Sequence, residues 1–131
     1  MSTRIKKRQI KEDISALDIP PEKWGKFLET FDRQHYGWLI QLETHDLVTR
    51  EDVVSQETPL DSIELDLEDE KNPRINVIVQ LGNKVIKHIL FRPSRLVFES
   101  SVDSQEQSLR IETVNTETTI RFRAPAPPAS M

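Results

Sequence analysis

A chain of 131 residues with 36% apolar and 31% charged side chains is sized for one domain with a hydrophobic core and a well-solvated surface. It contains no cysteine, which excludes a disulfide framework, a thiol nucleophile and a thiolate-held metal. No apolar run approaches the ~18 residues a membrane-spanning helix needs, and no apolar core follows the N-terminal positive charges, so the expected address is the cytoplasm.

The net charge of −4 conceals an asymmetry. Arg4, Lys6, Lys7, Arg8 and Lys11 give the first eleven residues +5, leaving 13 basic against 22 acidic side chains, or −9, for the remainder. A basic arm precedes an acidic body.

Within residues 1–18, Ile10, Ile14 and Leu17 recur at i, i+4 and i+7, which predicts one face of a short helix in an otherwise mobile extension. From Pro20 the signal sharpens. Pro21 suits a first helical turn, and Trp24, Phe27, Leu28 and Phe31 follow on one helical stripe. Glu22–Lys26 and Glu29–Arg33 are i,i+4 pairs that support the opposite, solvated face. Gly25 interrupts the pattern and is read as a point of close packing. The helix should stop near His35, because Gly37 can adopt the left-handed conformation that closes a helix.

After Gly37 the pattern alternates, predicting strands at 38–44, 52–58, 61–67, 74–81, 84–91, 95–101, 107–114 and 117–123. Their connections are too short for crossover helices, so neighbours should pair antiparallel. Gly82-Asn83 should turn a two-residue hairpin that sets Val77 opposite His88. If Asn115-Thr116 turns the last hairpin, Ile111 faces Ile120, Leu109 faces Phe122, and Arg110 meets Arg121 on the outer face. The predicted class is α+β: one N-terminal amphipathic helix on a curled, mainly antiparallel meander sheet or partly open barrel. The domain spans 19–124, and the Pro/Ala-rich 125–131 should be a disordered tail.

The chain resembles a bacterial family known only as domain of unknown function 5335. The carrying residues are Ile19-Pro20 with Trp24, Phe27 and Phe31, then Arg33-Gln34-His35-Tyr36-Gly37-Trp38-Leu39. Pro59-Leu60 with Ile63, His88 through Pro93, and Ile120-Arg121-Phe122-Arg123 complete the pattern, which covers about residues 19–125. The resemblance implies domain limits and supplies no catalytic residue, substrate or cofactor. Asn115-Thr116-Glu117 departs from it, since a turn glycine is expected there.

Among candidate sites, His35 beside Trp38 could be a base in an aromatic pocket, but a histidine at the negative end of the helix dipole, next to a glycine cap and a core tryptophan, is the favoured reading. The three histidines, His35, His45 and His88, lack the spacing that brings two imidazoles to one metal, so no metal or cofactor is expected. Gly-rich phosphate loops and G-x-S-x-G are absent from the sequence. The acidic run Asp61, Glu64, Asp66, Glu68, Asp69 and Glu70 reads as a solvated strand face, with Ile63, Leu65 and Leu67 turned to the core.

The expectation is therefore a non-enzymatic protein-binding or assembly module. It would use a sheet edge or the N-terminal extension, through Arg4, Lys6, Lys7, Arg8, Ile10, Ile14 and Leu17. One alternative is a small-ligand or weakly catalytic site at His35 or His88; a concave pocket holding both would favour it. Another is nucleic-acid attachment through the basic arm, which five charges without interleaved aromatics make the less favoured. Arg110 and Arg121 form a further candidate: Glu112 or Glu99 between them is the favoured reading, and an acidic partner or bound anion the functional one.

Overall fold

The computed structural model describes residues 14–101 and 106–124. Its nine strands are β1 (Ile14–Asp18), β2 (Leu39–Asp46), β3 (Asp52–Val54), β4 (Thr58–Asp66), β5 (Arg74–Leu81), β6 (Lys84–Phe91), β7 (Arg95–Ser101), β8 (Glu106–Glu112) and β9 (Thr116–Arg123). All pair antiparallel, in the order β1-β7-β8-β9-β2-β4-β5-β6, with β3 beside β2. The expected α+β class is the observed one, and the sheet curls without closing.

One 3₁₀ turn, Pro21–Lys23, leads into the one α-helix among the described residues, α1 (Trp24–His35). Trp24, Leu28, Phe31 and His35 form its buried face, the i, i+4, i+7, i+11 stripe that the sequence pattern requires. The Trp24 indole N–H donates to the Ile19 carbonyl at 2.7 Å and fixes the entry to the helix. Gly37, at φ +82°, ends it in the left-handed region that other residues enter at a cost.

Strand β4 sets the shape. It pairs with β2 only at Leu39–Pro59 and Ile40–Thr58, then bulges between Leu60 and Ser62 and pairs with β5. Past the bulge its free side meets α1, where the Asp32 carboxylate accepts the Ile63 backbone N–H at 3.1 Å. Helix and sheet together bury one core that includes Leu28, Ile40, Leu60, Ile75, Leu109 and Phe122.

The β5–β6 hairpin has the expected register, Leu81 opposite Lys84, Val79 opposite Ile86 and Val77 opposite His88. Three expectations are corrected. Ile14 and Leu17 lie on strand β1, paired with Ser101 and Phe98, and not on a helix, so residues 14–18 belong to the sheet. The i, i+4, i+7 spacing fits a helix and puts Leu17 on the opposite face of a strand from Ile14, so pairing with the edge of β7 overrides the local pattern. Ile10 lies outside the described residues. In the last hairpin Leu109 faces Ile120 and Ile111 faces Thr118, a slip of two residues from the expected register. The turn is Val114-Asn115, closed by Thr113 N–H donating to the Thr116 carbonyl at 2.9 Å, with the two hydroxyls 2.7 Å apart. A two-residue slip preserves faces, so Leu109, Ile111, Ile120 and Phe122 all stay buried. Finally, Leu67 is 52% exposed and not core, because β4 ends at Asp66.

A Cβ on Gly25 would meet only Leu65 Cδ2 at 3.7 Å, an ordinary contact, so the glycine is not required by close packing. Gly25→Ala should raise stability by about 0.5 kcal/mol through helix propensity, measured by urea unfolding. Burial, with Asp61 and Glu64 nearby, raises the Asp32 pKa from 3.8, so its charge is disfavoured in the folded state. Folding then gains stability as pH falls from neutrality through the raised value toward 3.8. Asp32→Asn, which keeps the acceptor oxygen, should stabilise at pH 7 and lose that advantage below pH 3.8. Asp32→Ala should cost about 1 kcal/mol by stranding the Ile63 N–H. Chemical denaturation across pH checks both.

Candidate functional site

The curled sheet leaves a cleft of about 500 Å³ between β6 and the inner face of β2 and β9. On β2 the inward row runs Ile40, Leu42, Thr44, and on β9 it runs Phe122, Ile120, Thr118, Thr116, so both change from apolar to hydroxyl toward the Val114-Asn115 turn. Thr44 and Thr118 share a hydrogen bond of 3.1 Å. The opposite wall is β6, with half-buried His88 and Leu90 on its inner face. Burial pushes the His88 imidazole below its usual 6.5, with no carboxylate or hydrogen bond among the causes.

His35 has a different setting. It is 5% exposed, and its ring stacks on Phe31 at 3.7 Å and meets Trp38 and Phe122 edge-on. Nδ1 donates to the Phe31 carbonyl at 2.8 Å, and Nε2 lies 2.5 Å from the side-chain oxygen Oε1 of Gln107. A carbonyl can only accept, so Nδ1 carries a proton. Both ring nitrogens are thus used by the fold. Trp38 is half-buried against the same core. The His88 cleft is not lined by His35, so the two histidines do not share it.

The expected Arg110–Arg121 juxtaposition is overturned by the two-residue slip: Arg110 faces Thr119 and Arg121 faces Ser108. Arg110 lies within 4 Å of Glu99, Glu112 and Glu117, and Arg121 bonds Glu43 at 2.6 Å. Carboxylates already occupy the space an anion would take. Of the extension, Leu17 is 56% exposed and lines a groove with Ile19, Pro20 and Phe27, whereas Arg4, Lys6, Lys7, Arg8 and Ile10 lie outside the described residues. His45 pairs with Asp52 on an exposed stretch of β2 and β3. Among the described residues no group of three or more His, Asp or Glu side chains is placed to hold a metal ion.

Sequence reasoning missed the chemistry of β6. Its second edge has no strand partner among the described residues. It also exposes Val85, Ile89 and Phe91 on one face, by 60%, 37% and 58%. The signal was available: no Asp or Glu occurs from residue 71 to residue 98, while Lys71, Arg74, Lys84, Lys87, Arg92 and Arg95 do. Arg74 and Arg95 are paired with carboxylates, but none of the described carboxylates reaches Lys84, Lys87 or Arg92.

This combination defines a small α+β domain, a curled open sheet plugged by one helix. The chain belongs to the Family of unknown function (DUF5335), whose model matches residues 15–129. That match begins inside β1, in keeping with the place of residues 15–18 in the sheet. No curated protein and no solved structure matches the chain. No helix among the described residues is long and apolar enough to cross a membrane.

His88 should make stability depend on pH. Its folded pKa is depressed, so the stability it contributes is present above 6.5 and is lost as pH falls through the window between 6.5 and the lowered value. His88→Leu should remove that component, leaving a smaller loss of unfolding free energy between pH 7.5 and 5 than in the parent chain.

Proposed function

We propose that the protein is a non-enzymatic binding module that adds an extended, acidic partner segment to the free edge of β6. The observation that carries this reading is the union, on one strand, of an unpaired edge, an exposed apolar row and uncompensated positive charge. Exposed edges are normally blunted, and lysines are one device for this; here Lys87 shares a face with Val85, Ile89 and Phe91 rather than replacing them, and Lys84 lies on the opposite face. An added strand gains main-chain hydrogen bonds along the edge, and side-chain matching supplies specificity. Lysine opposed to lysine disfavours pairing β6 with a second copy in register, while glutamate or aspartate alternating with apolar residues fits the row. The reading assumes a cytoplasmic setting, in keeping with the cysteine-free sequence.

The test is a ten-residue peptide of alternating glutamate and valine, titrated into the full chain with amide hydrogen exchange and fluorescence polarisation as readouts. Protection should rise at β6 amides, binding should weaken with added salt, and Lys84→Glu with Lys87→Glu should reduce affinity about tenfold or more. A glutamate-free, lysine/valine peptide binding equally well, protection appearing elsewhere, or β6 protected by self-association alone would overturn the reading.

A further inference from the structure

We infer that the cleft between β6 and the threonine ends of β2 and β9 is a binding site for a small uncharged aromatic amide or heterocycle. This inference rests on other groups than strand addition does, the His88 ring and the threonine hydroxyls, while Ile89 and Phe91 of the exposed row also line the cleft.

The argument starts from the residue types on the inner rows. A position that needs only packing is served by valine, which has the shape of threonine without its hydroxyl. Yet the inward rows of β2 and β9 end in Thr44, Thr116 and Thr118, and the adjoining turn contributes Thr113. Hydroxyls turned to an interior space require hydrogen-bonding partners. They meet part of that need in pairs, Thr44 with Thr118 at 3.1 Å and Thr113 with Thr116 at 2.7 Å. Within each pair one hydroxyl donates to the other, so the second keeps a proton to offer to the cleft.

His88 faces these hydroxyls across the cleft. No hydrogen bond reaches its ring from the described residues, unlike His35, and its burial favours the neutral form. A neutral imidazole offers one donor and one acceptor. Leu42 and Leu90 supply apolar walls beside it.

The chemistry of the ligand follows. None of the residues lining the cleft is Asp, Glu, Lys or Arg, so a charged guest would leave water without a counter-charge. Every polar group present is a mixed donor and acceptor, which matches an amide or ring-nitrogen edge. The apolar walls match a flat hydrocarbon body. About 500 Å³ lies within the range of pockets that hold such molecules.

The experiment uses the full chain with methyl-labelled threonine and ¹⁵N-labelled histidine, titrated at pH 7.5 with three neutral probes, nicotinamide, benzamide and uracil, and with the nicotinate anion. At least one neutral probe should give saturable shifts at the Thr44, Thr116 and Thr118 methyls and the His88 ring. Nicotinate should bind about tenfold more weakly than nicotinamide or not at all. His88→Leu and, separately, Thr44→Val should each weaken neutral-probe binding about tenfold, while the Val77–His88 strand contact, or its equivalent in the variant, shows that the hairpin is intact. Absence of shifts with all three neutral probes, equal binding of nicotinate, or undiminished binding by both folded variants would overturn the inference and leave the cleft a water-filled mouth of the sheet.

Discussion

Backbone groups on a strand must be hydrogen-bonded when buried, and the way β4 meets that demand organises the molecule. After Thr58 and Pro59 have paired with Ile40 and Leu39, the strand leaves β2 through its bulge and carries the chain into β5. Leu60 still bonds the residues before β2, its carbonyl accepting the Gly37 N–H at 3.0 Å and its N–H reaching the Trp38 carbonyl at 2.8 Å, and past the bulge α1 takes over through Asp32 at the Ile63 N–H. The helix is therefore held by polar bonds to β4 before its aromatic face meets Phe98 and Phe122. The edge of β2 that β4 gives up is taken in turn by β3, which pairs Glu43 with Val54 and His45 with Asp52. One strand's departure thus places the helix, the short hairpin and the turn toward β5 and β6.

The two halves so created differ in their surface electrostatics. Across the outer face of β1, β7 and β8, Asp18, Arg95, Glu112, Arg110 and Glu99 alternate in sign as a ladder, and Arg121 joins Glu43 on β9 and β2. Such exposed pairs are each worth little, about 0–1 kcal/mol, so their main effect is to neutralise the face and cover apolar atoms such as those of Val97, which is 3% exposed opposite Arg110. In the other half the acids lie on β4, where Asp66 pairs Arg74 of β5, and β5 and β6 themselves carry none. Lys84, Lys87 and Arg92 therefore keep their charge toward solvent even though the chain as a whole is negative.

What the sequence made legible, and what it did not, follows from the range of the physics involved. The helix and its stop were readable because Trp24, Leu28, Phe31 and Gly37 act within a few residues of one another. Gly82-Asn83 was readable for the same reason, and it carried the Val77–His88 register with it. The register of β8 and β9 was not, because a period of two cannot tell a shift of two residues from none; the Thr113–Thr116 hydroxyl bond that decides it has no sequence signature. Pro59 and Leu60 read as a break between strands at 52–58 and 61–67, whereas β4 runs through them, since Pro59 needs no N–H partner where the strand is leaving β2. Of the candidate site residues, His88 was placed on the correct face by its hairpin, but the threonines opposite it come together only through pairing between β2 and β9, some 70 residues apart in sequence.

The open edge and the cleft share one structural cause. In a closed barrel the last strand has a neighbour on each side, and that neighbour both occupies its free hydrogen-bonding groups and walls the interior. Here β6 ends the order, and the sheet's other end, β1, is bonded to β7 alone among the described strands. The same missing neighbour leaves the main chain of β6 unpaired on one side and the space between His88 and the threonines open on the other. Apolar residues on those inner rows would make the opening a liability, because they would be wetted; threonine and a neutral histidine tolerate water and can also bond a guest. Polar substitution of the inner rows near β6, and apolar side chains along its outer row, are thus two adaptations of one strand to being last in an unclosed sheet.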